Sequence, residues 1–388
     1  MTEAAAEGPS AYDPRARRKT PLARLLTDEI QRSGPMSVSD YMAACLDHET
    51  LGYYRTRPAI GRGGDFITSP EISQTFGELI GAWAIVVWQQ FGSPPALDLI
   101  ELGPGRGTLM ADALRLASRV PAFASSARVV LVETNPLLRN VQAETLSGLA
   151  AVHWVDALGA VEAQAERPAI VLANEFLDTR PVRQFRRVSD TWRERLVGLD
   201  AHGALTYLDG PDLSMAAAPR DLSAAAHLAT LNADDGAIAE VAAPLDDLLG
   251  PLAARSRRQP VVALFIDYGH LASATGDTLQ AIRNHLFEHP LTSPGEADLT
   301  CQVDFSVVES EARTAGLVVD GPVTQAEFLG GLGIIQRASR LMSANPSRAG
   351  EIETDVLRLI APTGMGMRFK VIAIRSPHTP RLPGFETA

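Results

Sequence analysis

Glu101-Leu102-Gly103-Pro104-Gly105-Arg106-Gly107 is the most informative stretch of this chain. It follows an apolar run at 96–100 and precedes residues 108–114, which have the apolar spacing of a helix. A buried strand, a glycine turn and a helix form the unit with which α/β proteins bring backbone close to a nucleotide-like ligand. Glycine suits that turn because it has no Cβ and tolerates a positive φ.

The spacing of the three glycines indicates which ligand this loop binds. The motif lacks the Gly-Lys-Ser/Thr of a phosphate-binding P-loop, and its third glycine comes one residue too early for the dinucleotide fingerprint. Glu101, two positions before the first glycine, suits a ligand with a positive group. S-adenosylmethionine carries an ammonium and a sulfonium but no phosphate. We therefore predict S-adenosylmethionine as the cofactor, bound by Glu101, Gly103, Gly105 and Gly107.

Apolar runs that alternate with helical patterns predict an α/β fold around a parallel sheet covered on both faces. The predicted strands are residues 96–101, 128–133, 152–156, 169–173, 261–267, 317–319 and 369–374. Helices are predicted between them, at 109–120 and 136–146 among others. Seven strands with a C-terminal pair complete a doubly wound sheet.

Two acids close the second and third strands. Glu133 lies where a ribose would lie, and its carboxylate can accept hydrogen bonds from both hydroxyls. Asp156 suits an adenine amino group. The alternatives are a helix-capping or solvated residue for Glu133 and a solvated turn acid for Asp156.

The fourth strand ends in Asn174-Glu175-Phe176-Leu177-Asp178, which we interpret as the catalytic segment. Glu175 and Asp178, three residues apart, share a direction if the segment turns helically. Paired acids match the planar fork of donors on a guanidinium. The alternative is a loop whose acids are ion-paired internally, through Arg180 or Arg183.

Three parts are predicted along the chain: a flexible tail over 1–20, a helical N-terminal segment over 21–92 that covers the cofactor site, and a Rossmann-like domain over 93–388 with insertions at about 180–258 and 322–366. A hairpin is predicted at 182–188 and 191–197. Within the N-terminal segment, Ser69-Pro70-Glu71 has the residues of a helix start, and apolar positions continue one face to Val87.

Composition excludes several classes of protein. The 388 residues have a net charge of −11, which argues against general nucleic-acid binding. Cys45 and Cys301 are too few and too far apart for a metal site, and no apolar stretch reaches the length of a membrane-spanning helix. The first 20 residues lack the apolar core of a secretory signal. Their arginines are typical of a transit peptide, but Glu3, Glu7 and Asp13 are not, so a cytoplasmic location is predicted.

Together, these motifs resemble the MidA-like family of methyltransferases, whose mitochondrial members serve as complex I assembly factors. The resemblance runs from about residue 20 to the C-terminus and rests on residues 65–78, 101–108, 174–178, 267–269 and 294–305. It implies a class I methyltransferase fold, S-adenosylmethionine as the cofactor and an arginine of a complex I core subunit as the substrate.

Carried over by position, the resemblance implies that Gly103, Gly105 and Gly107 touch the cofactor. It also implies that residues 65–78 help to close the site and that Asn174-Glu175 faces the substrate. The mitochondrial members have His-Glu where this chain has Asn174-Glu175, so the role of the carboxylate transfers better than any role for Asn174.

The sequence thus predicts a methyltransferase that acts on a protein arginine, with Asn174, Glu175 and Asp178 at the substrate. Two alternatives stay open: an assembly chaperone that binds the cofactor without turnover, and a nicotinamide-dependent oxidoreductase. The substrate is expected to be a protein, for which the resemblance implies a complex I subunit, and the sequence leaves a homodimer open.

Overall fold

Apolar strands alternate with helices along most of the chain. The computed structural model describes residues 12–56, 68–162, 166–213 and 219–386. The helices are α1 (Pro21–Ser33), α2 (Val38–Asp47), α3 (Tyr53–Thr56), α4 (Ser69–Ile72), α5 (Gln74–Gln90), α6 (Thr108–Ala117), α7 (Pro121–Ser126), α8 (Pro136–Thr145), α9 (Leu158–Glu162), α10 (Pro219–Leu228), α11 (Asp246–Ser256), α12 (Phe305–Thr314), α13 (Gln325–Gly331), α14 (Ile334–Ala344) and α15 (Ala349–Ile360). The strands are β1 (Met36–Ser37), β2 (Leu97–Leu102), β3 (Ala127–Val132), β4 (Val152–Val155), β5 (Ala169–Asn174), β6 (Val182–Val188), β7 (Thr191–Leu199), β8 (Leu205–Asp212), β9 (Ile238–Ala242), β10 (Val261–His270), β11 (Gln280–Arg283), β12 (Leu286–Glu288), β13 (Asp298–Thr300), β14 (Val303–Asp304), β15 (Val318–Thr324) and β16 (Phe369–Arg375).

The predicted doubly wound sheet is confirmed. Its strands are ordered β15-β16-β10-β5-β2-β3-β4, with the short β14 beside the end of β10. Pairing is parallel from β10 through β4, and β16 is antiparallel to both of its neighbours. Every residue of β2 is buried, as expected for a strand covered on both faces.

The strand order reverses beside β2, which pairs with β5 on one side and β3 on the other. The carboxyl ends of the five parallel strands therefore meet at one edge of the sheet, and the reversal opens a crevice there. Residues 103–107 follow β2 at this edge, and residues 175–178 follow β5. The two segments singled out in the sequence are therefore neighbours.

Helices pack on both faces of the sheet. On one face α5 and α6 form a core with β2, β5 and β10 around Phe76, Trp83 and Met110. On the other face α9, α11 and α12 pack around Leu252, Phe265 and Phe305. These two cores hold the crevice-forming edge rigid.

Two antiparallel sheets flank the main one. The larger contains β1, β6, β7, β8 and β9, and it includes the predicted hairpin, with Ser189 at φ 52° in its turn. The smaller contains β11, β12 and β13. Helices α1 and α2 pack in a third core with residues of both. Arg18 N donates to Thr292 O at 2.7 Å, so the described residues before α1 contact this region.

One local prediction is wrong: the helix that begins at Ser69 does not run on to Val87. It ends as α4 at Ile72, because Ser73 has the extended angles φ −149° and ψ 126°. Ser73 is also the N-cap of α5, and its hydroxyl accepts from Thr75 N at 3.3 Å. Within the predicted closing segment, residues 65–67 lie outside the described residues. No helix among the described residues is long and apolar enough to cross a membrane.

Candidate active site

The glycine loop, residues 103–107, is built from backbone that other residues rarely adopt. Gly103, Gly105 and Gly107 have φ of +57°, +53° and +81°. Gly103 N donates to Val132 O at 3.1 Å, and Gly107 N donates to Pro104 O at 2.7 Å before α6 begins. The loop forms one wall of a groove whose lining includes Pro70, Glu71, Arg106, Asn174 and Glu175.

Glu101 lies beneath this loop and is 3% exposed. Burial raises the pKa of its carboxyl to about 8, against a lesser lowering by the backbone of Met110. Its Oε2 has no hydrogen-bond partner among the described residues. A buried carboxyl with a free oxygen beside a left-handed glycine turn fits a ligand that carries a cationic group.

The loop is also supported from β3 and α8. Glu133 accepts from Asn135 N at 2.8 Å and from Gln142 Nε2 at 3.1 Å. Burial is the main reason that the pKa of Glu133 is raised. Gln142 also donates to Gly105 O at 2.8 Å and accepts from Trp154 Nε1 at 2.8 Å. Gln142 was missed by sequence reasoning, although its place four residues after Leu138 on the buried face of α8 is the signal that could have found it.

Asp156 is not brought into the groove. Its side chain is 82% exposed and pairs with Arg139 Nη2 at 2.6 Å. It follows the end of β4, as expected. Neither Asp156 nor Glu133 is among the described residues that line the groove, but only Glu133 is joined to the glycine loop, through Gln142.

The N-terminal segment contacts both sides of the crevice. From α3, Tyr54 O accepts from Asn135 Nδ2 at 2.5 Å, and Arg55 donates to Thr134 O at 3.0 Å. From α4, Ser69 N donates to Glu175 Oε1 at 3.0 Å. Also in α4, Glu71 accepts from the Thr108 hydroxyl at 2.5 Å. Helix α4 therefore touches the glycine loop's helix and the segment after β5 at once.

We call residues 174–178 the acid loop. Glu175 has φ +53°, which is uncommon for a residue with a side chain, and its N–H donates to Ile266 O at 2.8 Å. Its Oε1 accepts from Ser69 N and from Asn174 Nδ2, each at 3.0 Å. Burial raises the pKa of Glu175 to about 7, with the hydrogen bond from Ser69 opposing it. Asn174 Oδ1 has no partner among the described residues.

Asp178 is placed differently from Glu175. It is 5% exposed and is not among the described residues that line the groove. Its carbonyl accepts from Cys301 N at 2.8 Å, while its Oδ1 lacks a hydrogen-bond partner in the described part of the chain. Burial raises the pKa of Asp178 to about 6, and the nearby Tyr268 hydroxyl lowers it. The two acids therefore lie on one short loop, but only Glu175 reaches the groove.

The internal ion pairs considered as an alternative are not those that form. Arg180 makes a bidentate pair with Asp247, at 2.9 and 3.0 Å. Arg183 makes a bidentate pair with Glu194, at 2.6 and 2.7 Å. Among the described residues, no arginine donates a hydrogen bond to Glu175 or Asp178.

Asp267 lies in β10, three residues before the end of the strand, and the sequence analysis singled it out only as part of residues 267–269. It is 1% exposed, and its Oδ2 accepts from the backbone N–H groups of Phe176, Leu177 and Asp178. Burial, followed by the carboxyls of Asp178 and Glu175, raises the pKa of Asp267. The Asp267-Tyr268-Gly269 motif belongs to the family resemblance, but nothing in its spacing predicts that Asp267 binds the amides of residues 176–178.

Comparisons with known proteins agree with this geometry. A profile of S-adenosyl-L-methionine-dependent methyltransferases matches residues 79–323. The protein arginine methyltransferase NDUFAF7 of Danio rerio is 35% identical over 91% of this chain and 86% of its own length. Its Homo sapiens counterpart is 34% identical over 97% of this chain and 87% of its own.

A solved structure is similar over nearly the whole chain. It is a Burkholderia thailandensis protein crystallised with S-adenosyl-homocysteine, with a TM-score of 0.80, 28% identity and 94% coverage of both chains. S-adenosylmethionine is therefore the cofactor, as predicted, and the nicotinamide-dependent alternative is not supported.

The predicted cytoplasmic location is wrong, because the curated relatives are named as mitochondrial proteins. The prediction relied on a few acids among the first 20 residues, and local charge there is a weak indicator of compartment. The strand order, the glycine loop and these relatives agree: the chain is an enzyme of the MidA-like family of S-adenosylmethionine-dependent methyltransferases.

Proposed function

We propose that this enzyme methylates an arginine side chain of a protein and that Glu175 holds the guanidinium. The relatives named as protein arginine methyltransferases support this substrate class. The observation that carries the proposal is the position of Glu175, a half-buried carboxyl on the groove beside the glycine loop that accepts no hydrogen bond from an arginine among the described residues.

The hydrogen bonds of Glu175 leave one oxygen available for substrate. Ser69 N and Asn174 Nδ2 both donate to Oε1, so they fix the carboxyl group and leave Oε2 free of their contacts. Desolvation raises the pKa of Glu175 to about 7, because it outweighs the hydrogen bonds from Ser69 and Asn174 and the charge of Arg358. A guanidinium at Oε2 would supply the positive charge that this burial leaves uncompensated.

Asn174 and Asp178 have distinct roles in this proposal. Asn174 lines the groove with an unpartnered Oδ1, so it accepts from a second guanidinium nitrogen. Asp178 acts from behind the loop, where its negative charge strengthens the preference of the site for a cation.

We assign the cofactor to Glu101, Gly103, Gly105, Gly107 and Glu133, whereas Asp156, exposed and paired with Arg139 outside the groove, makes at most a weak contact at the adenine end. When bound, S-adenosylmethionine supplies an electrophilic methyl group. The residues of the chain then mainly align the guanidinium nitrogen with that group, and alignment is where much of the rate enhancement of such reactions arises. Glu175 Oε2, which accepts no hydrogen bond from Ser69 or Asn174, would take the proton that the nitrogen gives up.

The N-terminal segment covers the site in this proposal. Within residues 21–92, α3 and α4 contact the crevice and exclude water from it, while residues 93–388 form the catalytic domain with its two insertions. A complex I subunit is the proposed protein substrate, on the strength of the family resemblance. A homodimer stays a prediction, which sedimentation of the purified chain tests.

Labelling tests the proposal. Purified enzyme and [methyl-³H]S-adenosylmethionine are added to a lysate from cells that lack the gene, and labelled proteins are identified by mass spectrometry. We expect label on the arginine of one protein, in the wild-type reaction and not with Glu175→Gln. Label on lysine, on a small molecule or equally with both enzymes contradicts the proposal.

A further inference from the structure

We infer that Asp267 is the positioning residue of the acid loop: its carboxylate holds residues 176–178 so that Glu175 faces the groove. The catalytic part of this inference rests on the proposed function, whereas the structural part does not.

Asp267 gathers three successive amides. Its Oδ2 accepts from Phe176 N at 3.0 Å, Leu177 N at 2.8 Å and Asp178 N at 3.1 Å. Its Oδ1 accepts from Tyr268 N at 2.9 Å. Consecutive N–H groups that converge on one oxygen form a concave anion site in the backbone. Here the anion is the Asp267 carboxylate of the protein itself. The acid loop therefore turns around a side chain of β10, the strand that pairs with β5.

This contact explains why Glu175 is held in left-handed backbone. β5 and β10 are parallel, with Asn174 beside Ile266, and Ile266 O accepts from Glu175 N. One residue later on each strand, the loop turns over the carboxyl of Asp267. Glu175 is thus fixed on both sides, by the strand carbonyl before it and by the three amides after it. Strained backbone of this kind persists only where its surroundings over-determine it.

A plain ion pair does not account for Asp267. Its cross-strand neighbour is Lys370, whose ammonium instead donates to the carbonyls of Met367, Gly269 and Arg368, at 2.6, 3.0 and 3.1 Å. The Asp267 carboxyl therefore accepts its hydrogen bonds from four backbone amides, and three of these amides belong to the acid loop.

Hydrogen–deuterium exchange of the full chain tests the anchor without any substrate. Asp267→Ala should speed exchange of the amides of residues 176–178 at least tenfold. Asp267→Asn, which keeps an oxygen acceptor without the charge, should fall between Asp267→Ala and the wild type. The matched control is Asp320→Asn. Asp320 is also a buried carboxylate, 6% exposed, but it bonds Arg375 and Leu382 N on the far edge of the sheet. It should leave exchange at 176–178 within twofold of the wild type.

Kinetics test the consequence for catalysis. With the protein substrate found by labelling, Asp267→Ala should lower kcat at least 100-fold, because a displacement of about 1 Å costs that much. The Kd for S-adenosylmethionine should stay within threefold, since the glycine loop is intact. Asp320→Asn should keep kcat per folded molecule, whatever its melting temperature.

Wild-type exchange at residues 176–178 in folded Asp267→Ala overturns the inference, as does wild-type kcat in that variant. If Asp267→Ala does not fold, Asp267→Asn decides: at least threefold faster exchange supports the anchor and unchanged exchange refutes it. If the wild-type enzyme labels no arginine, the proposed function fails while the exchange result still judges the anchor.

Discussion

The ring of Phe176 lies directly over the backbone of Gly103, so the two loops of the active site touch. A Cβ on Gly103 would come within 2.9 Å of Phe176 Cδ2, closer than carbon atoms pack. Gly103 therefore has two requirements that only glycine meets, the positive φ of the turn and room for a side chain of the acid loop.

Gly103→Ala should weaken cofactor binding as well as stability. The strained φ and the contact with Phe176 together should lower the free energy of unfolding by about 2–3 kcal/mol. The Kd for S-adenosylmethionine should rise at least tenfold by calorimetry. Gly92→Ala is the matched control, because Gly92 has φ +83° and open space around its Cα. It should cost about 1 kcal/mol and leave the Kd unchanged. If both variants lose the same stability and the same affinity for S-adenosylmethionine, the contact with Phe176 does not explain the effect of Gly103→Ala.

Glu175→Gln should separate binding from chemistry. The substitution keeps the shape of the side chain but removes the charge that orients the guanidinium. We expect kcat/KM for methyl transfer to fall at least 100-fold, while the Kd for S-adenosylmethionine changes less than threefold. The measurement is initial-rate labelling of the identified protein substrate. A variant with more than a tenth of the wild-type rate would show that another group holds the arginine.

Methyl transfer should depend on pH through Glu175. The pKa of this carboxyl is raised to about 7, and the ionised form is the one that binds a guanidinium. kcat/KM should therefore rise about tenfold per unit below pH 7 and level off above it. In Glu175→Gln this limb should be absent. A profile that is flat from pH 5.5 to 8 in the wild type would contradict the assignment.

Glu101 should make the enzyme less stable as pH rises. Its pKa is about 8 in the folded chain and ordinarily 4.5, so the folded state holds the proton more tightly than the unfolded state. The free energy of unfolding should consequently fall between pH 4.5 and 8 and level off above pH 8. Glu101→Gln removes this contribution, so its loss of stability over that range should be shallower. Chemical denaturation at several pH values measures both slopes, and parallel slopes would refute the shift.

Glu133 and Asp156 should differ in their importance for the cofactor. Glu133 is held by Asn135 and Gln142 next to the glycine loop, whereas Asp156 is exposed and pairs with Arg139. Glu133→Ala should raise the Kd for S-adenosylmethionine at least tenfold, and Asp156→Ala less than threefold, since exposed groups contribute little. A larger rise in Kd for Asp156→Ala than for Glu133→Ala would show that the adenosine binds at Asp156 rather than at Glu133.

The architecture was accessible from the sequence because burial on both faces leaves a strong local signal. β5 is apolar up to Asn174, β2 carries only Asp98 and Glu101 among leucine and isoleucine, and the glycines that follow β2 require a turn. The position of Glu175 on the groove follows from the same logic, because a residue just after a parallel strand must lie at the carboxyl edge of the sheet.

What could not be predicted depends on contacts between distant segments. No residue type at Ser73 marks the break between α4 and α5, because serine both begins helices and occurs within them. The three amides on Asp267 join residues about 90 positions apart. The preference of Arg180 for Asp247 over the acid loop likewise depends on where α11 packs. In each case tertiary geometry selects among options that are locally equal.

The four residues of α4 limit how this enzyme can be redesigned. Ser69 N donates to Glu175, and Glu71 accepts from Thr108. The position of the acid loop therefore depends on α4, a helix about 100 residues earlier in the chain. A loop transplanted from a relative would arrive without the α4 that positions it. To change the target protein, residues 68–72 will have to be exchanged together with residues 174–178.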